Sequence, residues 1–275
     1  MERRDFLAIL AAGTVGALTA STMTGCASPV PAAEITPSTP PTPTTPSVPT
    51  SIAPSLSPAG LLPPAVGTRR PLPAAPITGL PGKGRHIALT VDDGASSDVI
   101  GAYVKFAQDT GARFTFFVTG SFDGWTDHRA ELRPLVESGQ IQLGNHTWTH
   151  PALTELSAKG IADELGRTKR FLKNQYGVDG TPYYRPPFGY HNASVDAVAA
   201  DLGYTMPTLW YGSLSDSGLI TEKYLVQCAR KYFRPQTVVI GHANHDPVTK
   251  VYPKLVDIIR QRKLRMVTLD DYFAS

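Results

Sequence analysis

The chain has 275 residues, 41% of them hydrophobic, with 26 basic against 23 acidic side chains and a formal net charge of +3. A charge so nearly balanced, with no basic stripe in the sequence, argues against nucleic acid as a partner. Two cysteines, Cys26 and Cys228, exclude a disulfide framework.

Residues 1–26, MERRDFLAILAAGTVGALTASTMTGC, read as a targeting segment outside the fold. Arg3 and Arg4 precede an apolar run, Phe6 to Met23, that Gly, Ala and Thr dilute too far for a comfortable membrane span. The pattern RR-x-F-L resembles the twin-arginine export signal, and an ordinary secretory signal with two positive residues fits the same composition. Met23-Thr24-Gly25-Cys26 resembles the bacterial lipoprotein box, with Met23 in the position usually held by Leu. That resemblance implies a lipidated Cys26 and an anchor on the outer face of the cytoplasmic membrane. Residues 27–82 hold 16 of the 25 prolines and only three charges, Glu34, Arg69 and Arg70. Such a segment reads as an extended tether, reaching on the order of 100 Å from its anchor. Residues 83–275 turn globular and are expected to form one domain of roughly 190 residues.

Within that domain, strands and helices alternate. HIALTV (86–91) is an apolar run closed by Asp-Asp-Gly and predicts a buried strand. A helix over Ser97–Gln108 follows, then a strand ARFTFFVTG at 112–120, a helix in HRAELRPLVESG and a strand IQLGN at 141–145. Helical periodicity runs from Leu153 to Tyr176 and again over Ser194–Leu202, before a short strand ending near Leu209-Trp210. Thr221–Phe233 reads as a helix in which Cys228 is a small buried apolar residue. The strand TVVIG (237–241), a helix over Val251–Arg262 and a last strand MVTL (266–269) complete the pattern. Repeated strand–helix units predict a parallel sheet, either closed as a barrel or open and doubly wound. Both architectures gather functional residues at the carboxyl ends of strands. Asp92 and Asp93 end the first strand, His146 and His150 follow IQLGN, and His242 ends TVVIG, so residues distant in sequence are expected on one rim. Two histidines four apart suit two ligands of one metal ion.

The stretches TVDDG (90–94), HTWTH (146–150), RPPFGY (185–190), the region around Asp216 and VVIGH (238–242) resemble, in order and spacing, the polysaccharide deacetylases of the NodB-like group, carbohydrate esterase family 4. The resemblance spans the folded domain and implies an α/β fold, an irregular, incomplete (β/α) barrel. It implies Asp93, His146 and His150 as metal ligands, for zinc or another divalent transition metal. Asp92 matches the general base, Arg185 the arginine that orients it, His242 the general acid and Asp216 the carboxylate paired with that histidine. The backbone N–H of Phe188 matches an oxyanion donor, and Ile240 the wall of the acetyl pocket. Trp148 and Trp210 are candidate sugar platforms. In the fourth motif the family's Asp-x-x-Asp-Trp is reduced to SLSDSG, with Ser213 and Ser217 in the outer positions, which puts the groove wall in doubt. The implied activity is removal of acetyl groups from N-acetylated sugars of a cell-wall polysaccharide, by a monomer. O-deacetylation by the same site and a non-catalytic, lipid-tethered wall binder are the alternatives.

Overall fold

The computed structural model describes residues 60–61 and 67–274. The expected export segment, Cys26 and most of the tether lie outside the described residues. In chain order the elements are β1 (Arg70–Pro71), β2 (His86–Asp93), α1 (Ser97–Thr110), β3 (Phe114–Val118), α2 (Gly124–Asp127), α3 (Arg129–Glu137), β4 (Ile141–Asn145), α4 (Ala158–Tyr176) and β5 (Tyr183–Tyr184). They continue with α5 (Ala193–Asp201), β6 (Met206–Pro207), β7 (Gly212–Ser213), α6 (Glu222–Tyr232), β8 (Thr237–His242), α7 (Tyr252–Gln261), β9 (Arg265–Met266), α8 (Leu269–Tyr272) and β10 (Phe273–Ala274).

The main sheet runs β6-β5-β4-β3-β2-β8-β7, with β9 beside the start of β2, and the pairings are all parallel. Strands β6 and β7 do not pair with each other, so the curled sheet is an incomplete barrel. This is the architecture expected from the family resemblance. Period-2 alternation sorts the core into two layers. Ile87, Leu89 and Val91 of β2 pack outward with Phe114, Phe116 and Val118 of β3 under the helices. Ala88, Phe117 and Val238 face the opposite way, with Tyr183 and Met206. Continuing that inner register, Thr90 and Asp92 on β2 and Ile240 and His242 on β8 lie above Ala88 and Val238.

Helix ends follow local chemistry. Ser96, Ser157, Asn192 and Thr221 cap α1, α4, α5 and α6 with their side chains, each accepting an amide hydrogen of the first turn. Gly111 and Gly177 close α1 and α4 in the left-handed conformation that glycine adopts without strain.

Two expectations need correction. The last strand is shorter than MVTL: Thr268 caps α8 through a capping box with Asp271, which turns the chain away after Met266. The composition boundary at residue 82 also lies inside the folded unit. Ile77, 1% exposed, donates its amide to Pro207 and accepts from Leu209 through its carbonyl, while the Leu80 amide donates to Gln236. Residues 77–80 therefore bridge the β6 side of the open barrel to the start of β8. Two apolar side chains in an otherwise prolyl segment are enough to dock it, because backbone pairing removes the cost of burying its amides.

Candidate active site

Register brings the site together. Asp92 and His242 are Cα partners across β2 and β8, and Asp93 pairs with Val118, from which the chain leads on to the loop beside His146. Asp93, Thr147 and His150 adopt positive φ of 67°, 71° and 63°. That left-handed backbone is uncommon for residues with a Cβ and is sustained here by surrounding hydrogen bonds. The Asp93 carbonyl accepts from Trp125 Nε1 at 3.1 Å and from the Thr119 amide at 3.2 Å. The Thr147 amide donates to Asn145 Oδ1 at 2.9 Å, and the His150 amide to Thr147 Oγ1 at 3.0 Å.

Asp93, His146 and His150 each offer one atom within 4.8 Å of the others. Asp93 Oδ1 lies 3.1 Å from His146 Nε2 and 3.3 Å from His150 Nε2, is buried, and has no hydrogen-bond donor among the described residues. His146 Nδ1 lies 2.7 Å from the Arg185 carbonyl, which only accepts, so Nδ1 carries the hydrogen and Nε2 of the neutral ring points a lone pair at Asp93. Carboxylate and imidazole lone pairs face each other stably only around a cation or a proton. The electrostatics agree. Burial alone would lower the basicity of His146, but the charges of Asp92 and Asp93 hold it above its ordinary value. Burial pushes the Asp93 carboxyl up, yet contact with His146 and the charges of His242 and His150 leave it well below the usual range. Burial and the neighbouring charge of His146 push His150 down, toward the neutral form that ligates. One carboxylate and two imidazoles fit a divalent transition metal.

Asp92 is 2% exposed and Arg185 fully buried. The guanidinium donates through Nη1 to Asp92 Oδ1, through Nε to the Thr208 carbonyl at 2.9 Å and through Nη2 to the Leu209 carbonyl at 3.1 Å. Its carbon lies 4.2 Å from the centre of the Phe117 ring. Asp92 is thereby held in one orientation, its Oδ2 turned toward the two histidines and 3.6 Å from His146 Nε2. On the neighbouring strand, His242 Nδ1 lies 3.0 Å from Asp216 Oδ1. Burial would lower His242, but the hydrogen bond and charge of Asp216, with Asp92 and Asp93 behind, raise it. The altered fourth motif still delivers Asp216: Ser213 Oγ accepts the Ser215 amide at 2.8 Å and Ser215 turns at φ 60°.

The remaining candidates separate. Phe188 turns at φ 60°, is 58% exposed, and its ring meets His150 edge-on at 4.8 Å. Ile240 is buried on the inner face of β8. Trp210 lies over the Arg185 guanidinium at 5.6 Å, beside Gly189 of the RPPFGY loop. Trp148 is directed elsewhere: Arg167 of α4 covers its ring at 4.7 Å and Phe171 meets it at 5.9 Å. It is half-buried, and these contacts hold it against α4.

Sequence reasoning missed two supports. Asn244 donates through Nδ2 to Asp93 Oδ2 at 2.7 Å and accepts the Ala95 amide at 3.1 Å. Glu164 of α4 accepts the Trp148 and Thr149 amides at 2.8 and 2.7 Å and the Thr149 hydroxyl at 2.8 Å, clamping the loop between the two histidines. The only signal available was an amide residue close after a functional histidine and an acid one helix away.

Residues 79–207 match the sequence profile of the polysaccharide deacetylase family. The matched span contains Asp92, Asp93, His146, His150 and Arg185, and ends before Asp216 and His242, whose pairing rests on geometry. The chain is 37% identical over 123 residues to chitin deacetylase 1 of Cryptococcus neoformans, covering 44% of this chain and 25% of that protein. It is 27% identical over 197 residues to the peptidoglycan-N-acetylglucosamine deacetylase PgdA of Listeria monocytogenes, covering 70% of this chain and 39% of the relative. The chain thus spans well under half the length of these two relatives. The solved structure of T48 deacetylase with substrate aligns at a TM-score of 0.60 and 27% identity, over 68% of this chain and 89% of that one.

Proposed function

We propose that the chain is a zinc-dependent deacetylase acting on N-acetylated sugars of a cell-wall polysaccharide, peptidoglycan or a chitin-like glycan. The observation that carries this reading is the orphaned Asp93 Oδ1 facing two imidazoles, beside a buried Asp92–Arg185 pair and across from His242–Asp216. The names of the relatives supply the substrate class. Zinc held by Asp93, His146 and His150 would polarise the acetyl carbonyl and acidify a water.

The chain's own groups do the rest in this reading. Asp92, with Oδ1 tied to Arg185, takes the proton of the attacking water on Oδ2. The Phe188 N–H, on a loop fixed by positive φ, donates to the developing oxyanion. Asp216 accepts from His242 Nδ1 and keeps the ring cationic, so that Nε2 gives its proton to the departing amine. Ile240 walls the acetyl methyl group, and Trp210 flanks the Arg185 side of the groove.

The proposal extends to the rest of the chain: export by residues 1–26, a lipid on Cys26, a tether, and a monomeric domain working within the cell envelope. Ser217 in place of the family's Trp favours a second reading, a tethered glycan binder without turnover. The experiment is acetate release from peptidoglycan, N-acetylglucosamine oligomers and acetylated xylan, by the wild type and by Asp92→Asn. Acetate from an N-acetylated substrate, lost in Asp92→Asn, is the expected result. Acetate from xylan alone would make the chain an O-acetyl esterase. No acetate from any substrate, with equal glycan binding by both proteins, would favour the binder.

A further inference from the structure

The barrel end opposite the carboxylate–histidine rim is rich in basic residues, which outnumber its acids Asp257, Asp270 and Asp271. Residues 67–86, leading into β2, hold four basic residues and no acidic one, and the stretch from Arg230 to Arg234 at the end of α6 holds three more. The turn after α7 adds Arg262, Lys263 and Arg265. Contacts join these stretches into one surface. The Arg70 guanidinium lies against Gly82, next to Lys83. The Arg265 amide donates to the Arg85 carbonyl at 2.8 Å, Arg85 Nη1 to the Arg262 carbonyl at 2.8 Å, and Arg262 Nη2 to the Arg230 carbonyl at 2.7 Å. Arg113 pairs with Asp271 at this end and Asp270 feels the charge of Arg69, but Arg70, Lys83, Arg85, Arg230, Lys231, Lys263 and Arg265 form no ion pair among the described residues. Asp257 is the carboxylate in the cleft lined by Arg230, Lys254 and Arg262. Burial holds the His86 imidazole here below its ordinary value against a raising bond from Gln236, and the charges of Arg265 and Arg70 push the same way.

Capping of helix ends accounts for part of this charge, since Arg85, Arg234 and Arg262 donate to terminal carbonyls of α6 and α7 and the turns after them. It does not account for the exposed Arg70, Lys83, Arg230, Lys231 and Lys263. Beside them stands Tyr211, 60% exposed, its ring edge-on to Tyr232 at 6.4 Å, while Lys231 Nζ lies 4.9 Å from the centre of the Tyr232 ring. A tyrosine with a free apolar body among lysines is the composition of a membrane-interface contact rather than of a groove for a soluble polyanion. The chain also enters the domain from this end: the Leu61 amide donates to the Thr110 carbonyl at the close of α1, and β1 pairs with β10.

We infer that this basic end docks on an anionic phospholipid surface, with Tyr211 at headgroup depth and the opposite rim left facing away from the bilayer. Each basic residue brought to such a surface is worth about fivefold in binding. The inference concerns only the surface and stands independently of the deacetylase reading.

The test is flotation of the full chain carrying Cys26→Ser, so that no acyl chain is added. The vesicles are phosphatidylglycerol mixed with phosphatidylcholine, or phosphatidylcholine alone. Binding is expected to the anionic vesicles only, and to be lost at about 1 M salt, where charges are screened beyond ~3 Å. The triple variant R230E/K231E/K263E should bind on the order of 100-fold more weakly or less still, given three charges removed and reversed. A control of equal net charge, K105E/R133E/K159E on other faces, should change little, and Tyr211→Ser should weaken binding several-fold. Thermal melting checks that each variant folds, with R230Q/K263Q as the milder replacement. Equal losses in the two triples, equal binding to neutral vesicles, or a soluble polyglycerol phosphate bound more tightly than the vesicles would each overturn the inference.

Discussion

Two aspartates adjacent in sequence meet different partners because the backbone turns left-handed at the second, the last residue of β2. Asp92 keeps the inner register of β2 and meets Arg185, whereas Asp93 turns at φ 67° toward the histidines. The sequence made both residues visible, since paired acids closing an apolar strand are a short-range pattern. It hid Asn244, whose bond to Asp93 joins loops 151 positions apart. Asn244→Ala should weaken zinc binding about 10- to 100-fold, as loss of an outer partner of a ligand does, with zinc-saturated turnover less affected; chelator competition measures it. The His242–Asp216 pair makes a pH prediction. Asp216 raises the imidazole, so the cationic form survives to higher pH, and its share of stability is full below the ordinary value near 6.5 and fades as pH climbs through the raised one. Asp216→Asn removes the charge, so the basic limb of the kcat/KM profile should move to lower pH. An unmoved limb would mean that His242 is not the titrating acid.

At the level of elements, long apolar strands and capped helices were legible and the two-residue strands were not. HIALTV and IQLGN carry their own periodicity, while Tyr183–Tyr184 and Gly212–Ser213 are strands only because neighbours pair with them. The surroundings of Trp148 were hidden for the same reason: nothing local shows that Arg167 lies over its ring. The loop that holds the histidines is shaped by α4 through Glu164. Glu164→Ala leaves the Trp148 and Thr149 amides without their acceptor. It should cost roughly 1–3 kcal/mol in thermal unfolding and lower zinc affinity as well. A fall in melting temperature with zinc affinity intact would show that α4 supports the fold but not the ligand geometry.

Over the whole molecule, the incomplete barrel leaves an open side that residues 77–80 span. Composition could not reveal this, because two buried side chains among prolines do not alter the average. A chain beginning at residue 83 should lose about 3–6 kcal/mol of stability relative to one beginning at residue 60, from the burial of Ile77 and Leu80. Equal melting temperatures would return the boundary to residue 82. The central claim joins the two aspartates that close β2: a metal held by Asp93, His146 and His150 serves a hydrolysis that Asp92 drives. The measurement that tests it most directly is zinc titration of the metal-stripped protein with acetate release followed on N-acetylglucosamine oligomers. The account predicts that release rises until one equivalent is bound and then stops rising, and that His150→Ala and Asp93→Asn neither bind that equivalent nor release acetate. Acetate released at full rate without metal, or restored by zinc in Asp93→Asn as well as in the wild type, would contradict it.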